Sequence, residues 1–181
     1  MTQFKFQKIN LKHKDTIFSW LDKPHVKEFW DNSPEHREDI LIFIDGRVKQ
    51  STYFNGIFTY WIASIHDEPF ALIMTAEVLE DEDLPQLWKK HLSKTGKTYS
   101  LDFCIGNKKY LGKGLAAPTL RAFTDYFLKE NNDADTFIID PDENNPRAAH
   151  VYEKAGFKFV EKFPVEKGVF KGQNSWLMVK N

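Results

Sequence analysis

Apolar and polar residues alternate from Phe4 to Ile9, the period of an edge or half-buried strand. From Asp15 to Leu21 the period lengthens, with Ile17, Phe18, Trp20 and Leu21 at helical spacing until Pro24 breaks the run. His25 to Trp30 reads as a short second helix or turn. Glu38 to Ile44 is compatible with a helix that Gly46 stops. Phe58 to Ile65 and Pro69 to Val78 read as two strands of a hairpin joined by His66-Asp67-Glu68. Tyr99 to Ile105 is a further strand. Tyr99, Leu101, Phe103 and Ile105 lie on one face, with Ser100, Asp102 and Cys104 on the other. A glycine-containing turn then leads into a helix from about Leu115 to Lys129. Thr136 to Ile139 is a short strand, Asn145 opens a helix closed by Ala155-Gly156, and Phe157 to Val160 and Trp176 to Val179 are the last strands. Helices and strands alternating in this way predict an α/β (α+β) fold with helices on the faces of a central sheet.

Composition narrows the function. The 181 residues suit one domain spanning 1–181, with no internal repeat or linker-like tract. The formal net charge of -1 argues against a nucleic-acid partner. No apolar run reaches membrane-spanning length, and the polar N-terminal stretch carries no signal-peptide core, so a cytoplasmic protein without a membrane partner is expected. One cysteine, Cys104, allows no intramolecular disulfide and fits a reducing compartment. The six histidines show no ligand spacing, so no metal site is expected. Aromatic residues make up 15% of the chain, including 16 Phe; most of the Phe fall at core spacing, while Trp30, Tyr152 and one of Trp61 or Trp88 are candidates to line a cleft.

Two motifs carry chemistry. The first is Tyr110-Leu111-Gly112-Lys113-Gly114-Leu115, directly after a strand and before a helix. Glycines let backbone approach a ligand, and the free N–H groups of a helix start suit a pyrophosphate. Lys108, Lys109 and Lys113 add positive charge there; the alternative is an ordinary turn with solvated lysines. No dinucleotide or nucleoside-triphosphate motif occurs. The second is Asp140 to Phe157. Asn145 is placed as a cap, Pro146 as the first helical residue and Gly156 as the stop, and Ala148 and Tyr152 share a helix face.

Together these segments resemble the Gcn5-related N-acetyltransferase (GNAT) family. That family joins a Q/R-x-x-G-x-G/A pyrophosphate loop to a later N-x-x-A-x-x-x-Y-x-x-x-G-F helix. The second pattern is complete in Asn145, Ala148, Tyr152, Gly156 and Phe157; in the first, Lys109 replaces the usual Gln or Arg. Over nearly the whole chain the sequence is most similar to aminoglycoside 6'-N-acetyltransferases and related siderophore-type acetyltransferases. The stretches that match run from Trp20 to Trp30, then Leu101-Asp102, Leu111 to Leu115, and Asp140 to Phe157. Residues 54–97 match poorly, and much of what selects an acceptor lies among them.

The resemblance implies a single GNAT domain, a mixed sheet with a cofactor cleft between central strands, and acetyl-CoA as cofactor. It implies a small-molecule amine as partner, a monomer or homodimer, and a link to antibiotic resistance. It assigns Asp102 as the base or orienting carboxylate and Tyr152 as the acid for the departing thiolate. Phe103, Cys104, Ile105, Tyr110, Leu111, Gly112, Lys113, Gly114, Leu115, Asn145, Ala148 and Tyr152 would hold the cofactor. Trp30, Asp102 and Asp140 would meet the acceptor. An ordinary aspartate titrates near 3.9 and is a poor base, so its surroundings matter. Cys104 has no neighbouring His to activate it as a nucleophile. Two acidic groups are available for a cation: Glu77, Glu80, Asp81, Glu82 and Asp83, and Glu130, Asp133, Asp135, Asp140, Asp142 and Glu143. The alternatives are a siderophore precursor or a protein α-amine as acceptor, or a non-catalytic acyl-CoA-binding module.

Overall fold

The computed structural model describes residues 4–80 and 84–181. In chain order the elements are β1 (Phe4–Lys8), α1 (Lys14–Leu21), α2 (Pro24–Lys27), α3 (Pro34–Ile44), β2 (Thr59–Ile65), β3 (Glu68–Val78) and α4 (Gln86–Lys89). There follow β4 (Lys97–Ile105), α5 (Ala116–Glu130), β5 (Ala134–Ile139), α6 (Pro146–Lys154), β6 (Lys158–Pro164) and β7 (Asn174–Lys180). The strands form an open mixed sheet in the order β1-β2-β3-β4-β5-β7-β6. The chain makes two compact units: Met1–Thr75 with Asp102–Leu115, and Ala76–Leu101 with Ala116–Asn181.

In the first unit β1 pairs antiparallel with β2, and β2 with β3. The hairpin turn is tighter than the sequence reading: Ile65 pairs with Glu68, leaving only His66 and Asp67 to turn the chain. Both adopt positive φ, 50° and 63°, as a two-residue turn that follows strand twist demands. β2 and β3 are apolar and buried along most of their length, as strands inside a sheet are. α3 starts a turn earlier than its apolar run, because the Ser33 hydroxyl accepts from His36 N–H and Pro34 occupies the first helical position. It buries Asp39 fully; the carboxylate accepts from Arg47 at 2.8 Å and from the Tyr60 hydroxyl at 2.6 Å.

β4 ends on Gly106, where an added Cβ would lie 2.1 Å from the buried Trp20 ring. Gly106→Ala therefore forces α1 away from the end of β4. It is expected to cost about 1–3 kcal/mol in urea unfolding against the wild type.

In the second unit β4 begins parallel to β5, from Lys97 against Ala134 to Ser100 against Ile138. β5 pairs antiparallel with β7, and β7 with β6. Ile138, Phe163, Leu177 and Val179 form one core cluster, against which Leu87, Trp88 and Leu92 pack. That packing makes an element of α4, which no period in the sequence announced. Phe123, Phe127 and Phe137 form another ring group. The aromatic expectation is met only in part. Six phenylalanines are buried, while Phe29, Phe54 and Phe159 are exposed and the rest are half-buried.

Candidate active site

In the first unit β4 runs on to Ile105, past its last pairing with β5 at Ser100. Asp102, Phe103 and Cys104 in this stretch are half-buried. Burial pushes the Asp102 carboxyl up to about 6. The same burial pushes the Cys104 thiol up to about 12, so at neutral pH it is a thiol and not a nucleophilic thiolate. His25 anchors α2 to this strand end: its Nε2 lies 3.0 Å from the Ile105 carbonyl, which only accepts, so Nε2 carries the proton.

The glycine loop follows. Asn107 accepts from Lys109 N–H and starts a short helical turn through Tyr110. Gly112 and Gly114 take φ of 73° and 72°, and nothing stands within 4 Å of where their Cβ atoms would be. The glycines are there for backbone conformation, and the space their Cβ atoms would fill is open. Such open backbone fits a pyrophosphate. Lys108 and Lys113 are absent from the ion pairs of the described residues, whereas Lys109 donates to Glu68 at 2.6 Å. Its charge is already paired, a departure from the sequence reading of three free lysines.

Between α2 and α3, Asp31 accepts from the Tyr53 hydroxyl at 2.9 Å and from Ser33 N–H at 2.8 Å. Both donors are neutral, and no ion pair reaches Asp31 among the described residues. Burial, then the charges of Asp31, Asp102 and Asp39, push the Tyr53 phenol far above its ordinary range. Tyr53 thus lies in the field of both Asp31 and Asp102. Trp30, next to Asp31, is 8% exposed and packs with Ile17, Trp20, Leu21 and Tyr60; its indole N–H has no partner. Its ring is core as it stands.

In the second unit, every part of the Asn145–Phe157 pattern has a local structural cause. Asn145 Oδ1 accepts from Ala148 N–H at 3.2 Å. Gly156, at φ 99°, ends α6 with its N–H on the Glu153 carbonyl, and Phe157 N–H reaches the Tyr152 carbonyl. The Tyr152 and Phe157 rings lie 6.2 Å apart, the apolar contact that accompanies such an ending. Cap and stop together hold Ala148, half-buried, and Tyr152, buried, on one helix face.

A family model for an acetyltransferase (GNAT) domain matches residues 10–165. The chain belongs to the GNAT family. GNAT proteins are acyltransferases that use acetyl-CoA. Among relatives, the aminoglycoside N(6')-acetyltransferase type 1 of Klebsiella pneumoniae is 28% identical over 144 residues, 78% of this chain and 67% of that protein. The crystal structure of aminoglycoside N(6')-acetyltransferase from Legionella pneumophila superposes with a TM-score of 0.76 at 24% identity, over 99% of this chain and 92% of that one. AAC(6')-Ib in complex with coenzyme A and kanamycin gives 0.75 at 22% identity, over 99% and 95%.

Within this GNAT chain two of the six carboxylates of the second acidic group are ion-paired with lysines distant in sequence. Asp133 pairs with Lys97 at 2.9 Å, Glu143 with Lys162 at 3.0 Å, and Asp135 accepts from Thr95. Asp140 is half-buried with partners of its own. In the first group Glu77 shares Lys97 with Asp133, and Asp81, Glu82 and Asp83 lie outside the described residues. The sequence reading of an acidic acceptor side at 130–145 thus loses two of its six carboxylates to ion pairs. It missed Asp31, Tyr53 and Glu68, none of which stands in a motif. The one available signal was an Asx turn, Asp31-Asn-Ser33-Pro34, before a helix. No helix among the described residues is long and apolar enough to cross a membrane.

Proposed function

We propose that this protein, acting as one domain over residues 1–181 in the cytoplasm, acetylates a primary amine of a cationic small molecule, most like an aminoglycoside 6'-amine. Such an activity would lower susceptibility to those antibiotics. The observation carrying this reading is the pair of uncompensated carboxylates, Asp31 and Asp102, that both act on Tyr53. Carboxylates without a cation suit an ammonium, and the 28% identical relative is an aminoglycoside acetyltransferase.

Acetyl-CoA supplies an activated acetyl thioester. The backbone N–H groups of Leu111 to Leu115 would hold the pyrophosphate, with Tyr110 and Lys113 beside it. The backbone of Phe103, Cys104 and Ile105 would pair with the pantetheine arm and polarise the thioester carbonyl. Asn145 has its Oδ1 engaged with Ala148, which leaves its amide N–H to donate to the arm, and Ala148 gives the arm room. Asp102 would draw in the acceptor ammonium and take its proton. Tyr152 would protonate the leaving sulfur. Asp140 and Trp30 remain candidates for the acceptor side; for Trp30 that requires the ring to be uncovered.

The test is thiol release from acetyl-CoA with kanamycin, spermine and N6-hydroxylysine as acceptors. Kanamycin is expected to give the highest kcat/KM. Turnover of N6-hydroxylysine alone would move the acceptor to the siderophore class, and CoA binding without turnover of any amine would leave a binding module. In the same assay Asp31→Asn is expected to raise the KM for the cationic acceptor about tenfold, with kcat changed less than about threefold, since one charge-assisted contact is lost.

A further inference from the structure

The glycine loop departs from its family pattern at Lys109, and the structure assigns a cause: Glu68, at the start of β3, is a positioning residue for that loop. The loop is tied to the β2–β3 hairpin by side chains that converge on one carboxylate. Glu68 Oε2 accepts from Lys109 Nζ at 2.6 Å and from the Tyr110 hydroxyl at 2.5 Å. Its Oε1 accepts from Asn107 Nδ2 at 3.3 Å. The backbone agrees, for Gly106 and Asn107 N–H both donate to the Phe70 carbonyl, at 3.0 and 3.1 Å. The Tyr110 ring lies 5.3 Å from the buried Phe70 ring.

Four consecutive residues, Asn107 to Tyr110, are thus bounded by one hairpin end, just before the two left-handed glycines. Gly112 and Gly114 have no side chains to fix their course, and the space where their Cβ atoms would stand is open. A flexible cradle binds an anion less tightly than one already in shape, because ordering it costs entropy on binding. Glu68 supplies that order from outside the loop. The motif position that Lys109 occupies is therefore used to hold the loop and not to touch phosphate. An exposed Lys–Glu pair alone would contribute little. Here the same carboxylate also takes the tyrosine and asparagine donors.

This inference rests on the reading that the loop takes the CoA pyrophosphate. A double-mutant cycle with Glu68→Gln and Lys109→Met tests it, read as CoA affinity by calorimetry at two ionic strengths. Each single substitution is expected to weaken CoA binding about five- to tenfold. The double variant should be no weaker than either single, and the slope of affinity against salt should stay at the wild-type value, since Lys109 makes no phosphate contact. Tyr110→Phe should weaken CoA binding in the same direction. For Glu68→Gln and Lys109→Met, kcat at saturating acetyl-CoA should stay close to wild type. The idea is overturned if Lys109→Met weakens binding with a reduced salt slope while Glu68→Gln leaves it unchanged or tightens it, or if the two effects add. Absence of CoA binding by the wild type would instead sink the underlying reading of the loop.

Discussion

Asp102→Asn is expected to lower kcat by about 100-fold or more at pH 8 while changing CoA affinity less than about threefold. The carboxylate sits on the stretch of β4 beyond its pairing with β5, and burial pushes it up to about 6. A base titrating there is stronger than a surface aspartate yet ionised at neutral pH. Its kcat/KM profile should lose activity as pH falls through about 6, two units above the limb an exposed aspartate would give. A bound ammonium favours the charged carboxylate, so the corresponding limb in kcat should lie lower. Stability moves the opposite way. The folded-state pKa is above the unfolded value, so Asp102's contribution to stability is fully present below the unfolded pKa, near 4. It is lost as pH rises through about 6. At pH 8 the native state carries a partly desolvated charge that Asn removes. The variant should then be more stable than wild type by about 1–2 kcal/mol, after allowing for the residue's partial exposure, and unfold at higher temperature. That advantage should vanish at pH 4. An unchanged kcat together with unchanged stability would remove Asp102 from the mechanism.

This opposition of activity and stability separates a site residue from a structural one, and the chain offers a contrast. Asp39 is buried too, but Arg47 and Tyr60 satisfy it. Nothing in the sequence distinguishes these two aspartates by themselves. Asp102 was legible only through the motif that follows it, and Asp39 only as a polar interruption of an apolar helix. The strands and long helices were legible because periods of two and 3.6 are imposed by burial. The alternating run at Phe4 and the apolar blocks of β2 and β3 therefore announce themselves. α4 was not legible, because Leu87 and Trp88 pack on residues some 50 or more positions further along the chain. Ion pairing was not legible for a related reason. Residues 130–145 contain six acids and no base, yet Lys97 and Lys162 arrive from other strands and pair with two of them. Asp31 looked like any loop aspartate, and its significance lies in a tyrosine 22 residues later. Local patterns thus carry over into elements and caps. Charge balance does not, since it depends on which distant strands become neighbours.

Tyr152→Phe should divide the two meanings of the Asn145–Phe157 pattern. The caps of α6 account for Asn145, Gly156 and Phe157 through backbone bonds and a ring contact, and all of these survive in the variant. Folding should be nearly untouched, with a change of no more than about 1 kcal/mol for loss of the hydroxyl. If the hydroxyl protonates the leaving sulfur, kcat should fall about 100-fold with acetyl-CoA affinity close to wild type. The alkaline limb of the kcat profile, where a proton donor titrates away, should disappear along with it. A residue that merely contacts the cofactor would behave differently: KM for acetyl-CoA would rise and both pH limbs would stay. A residue that merely packs would show neither change, because phenylalanine keeps the ring against Phe157. The hydroxyl is the one part of the tyrosine that the helix ending does not require. Its removal therefore reads chemistry without disturbing the element that presents it.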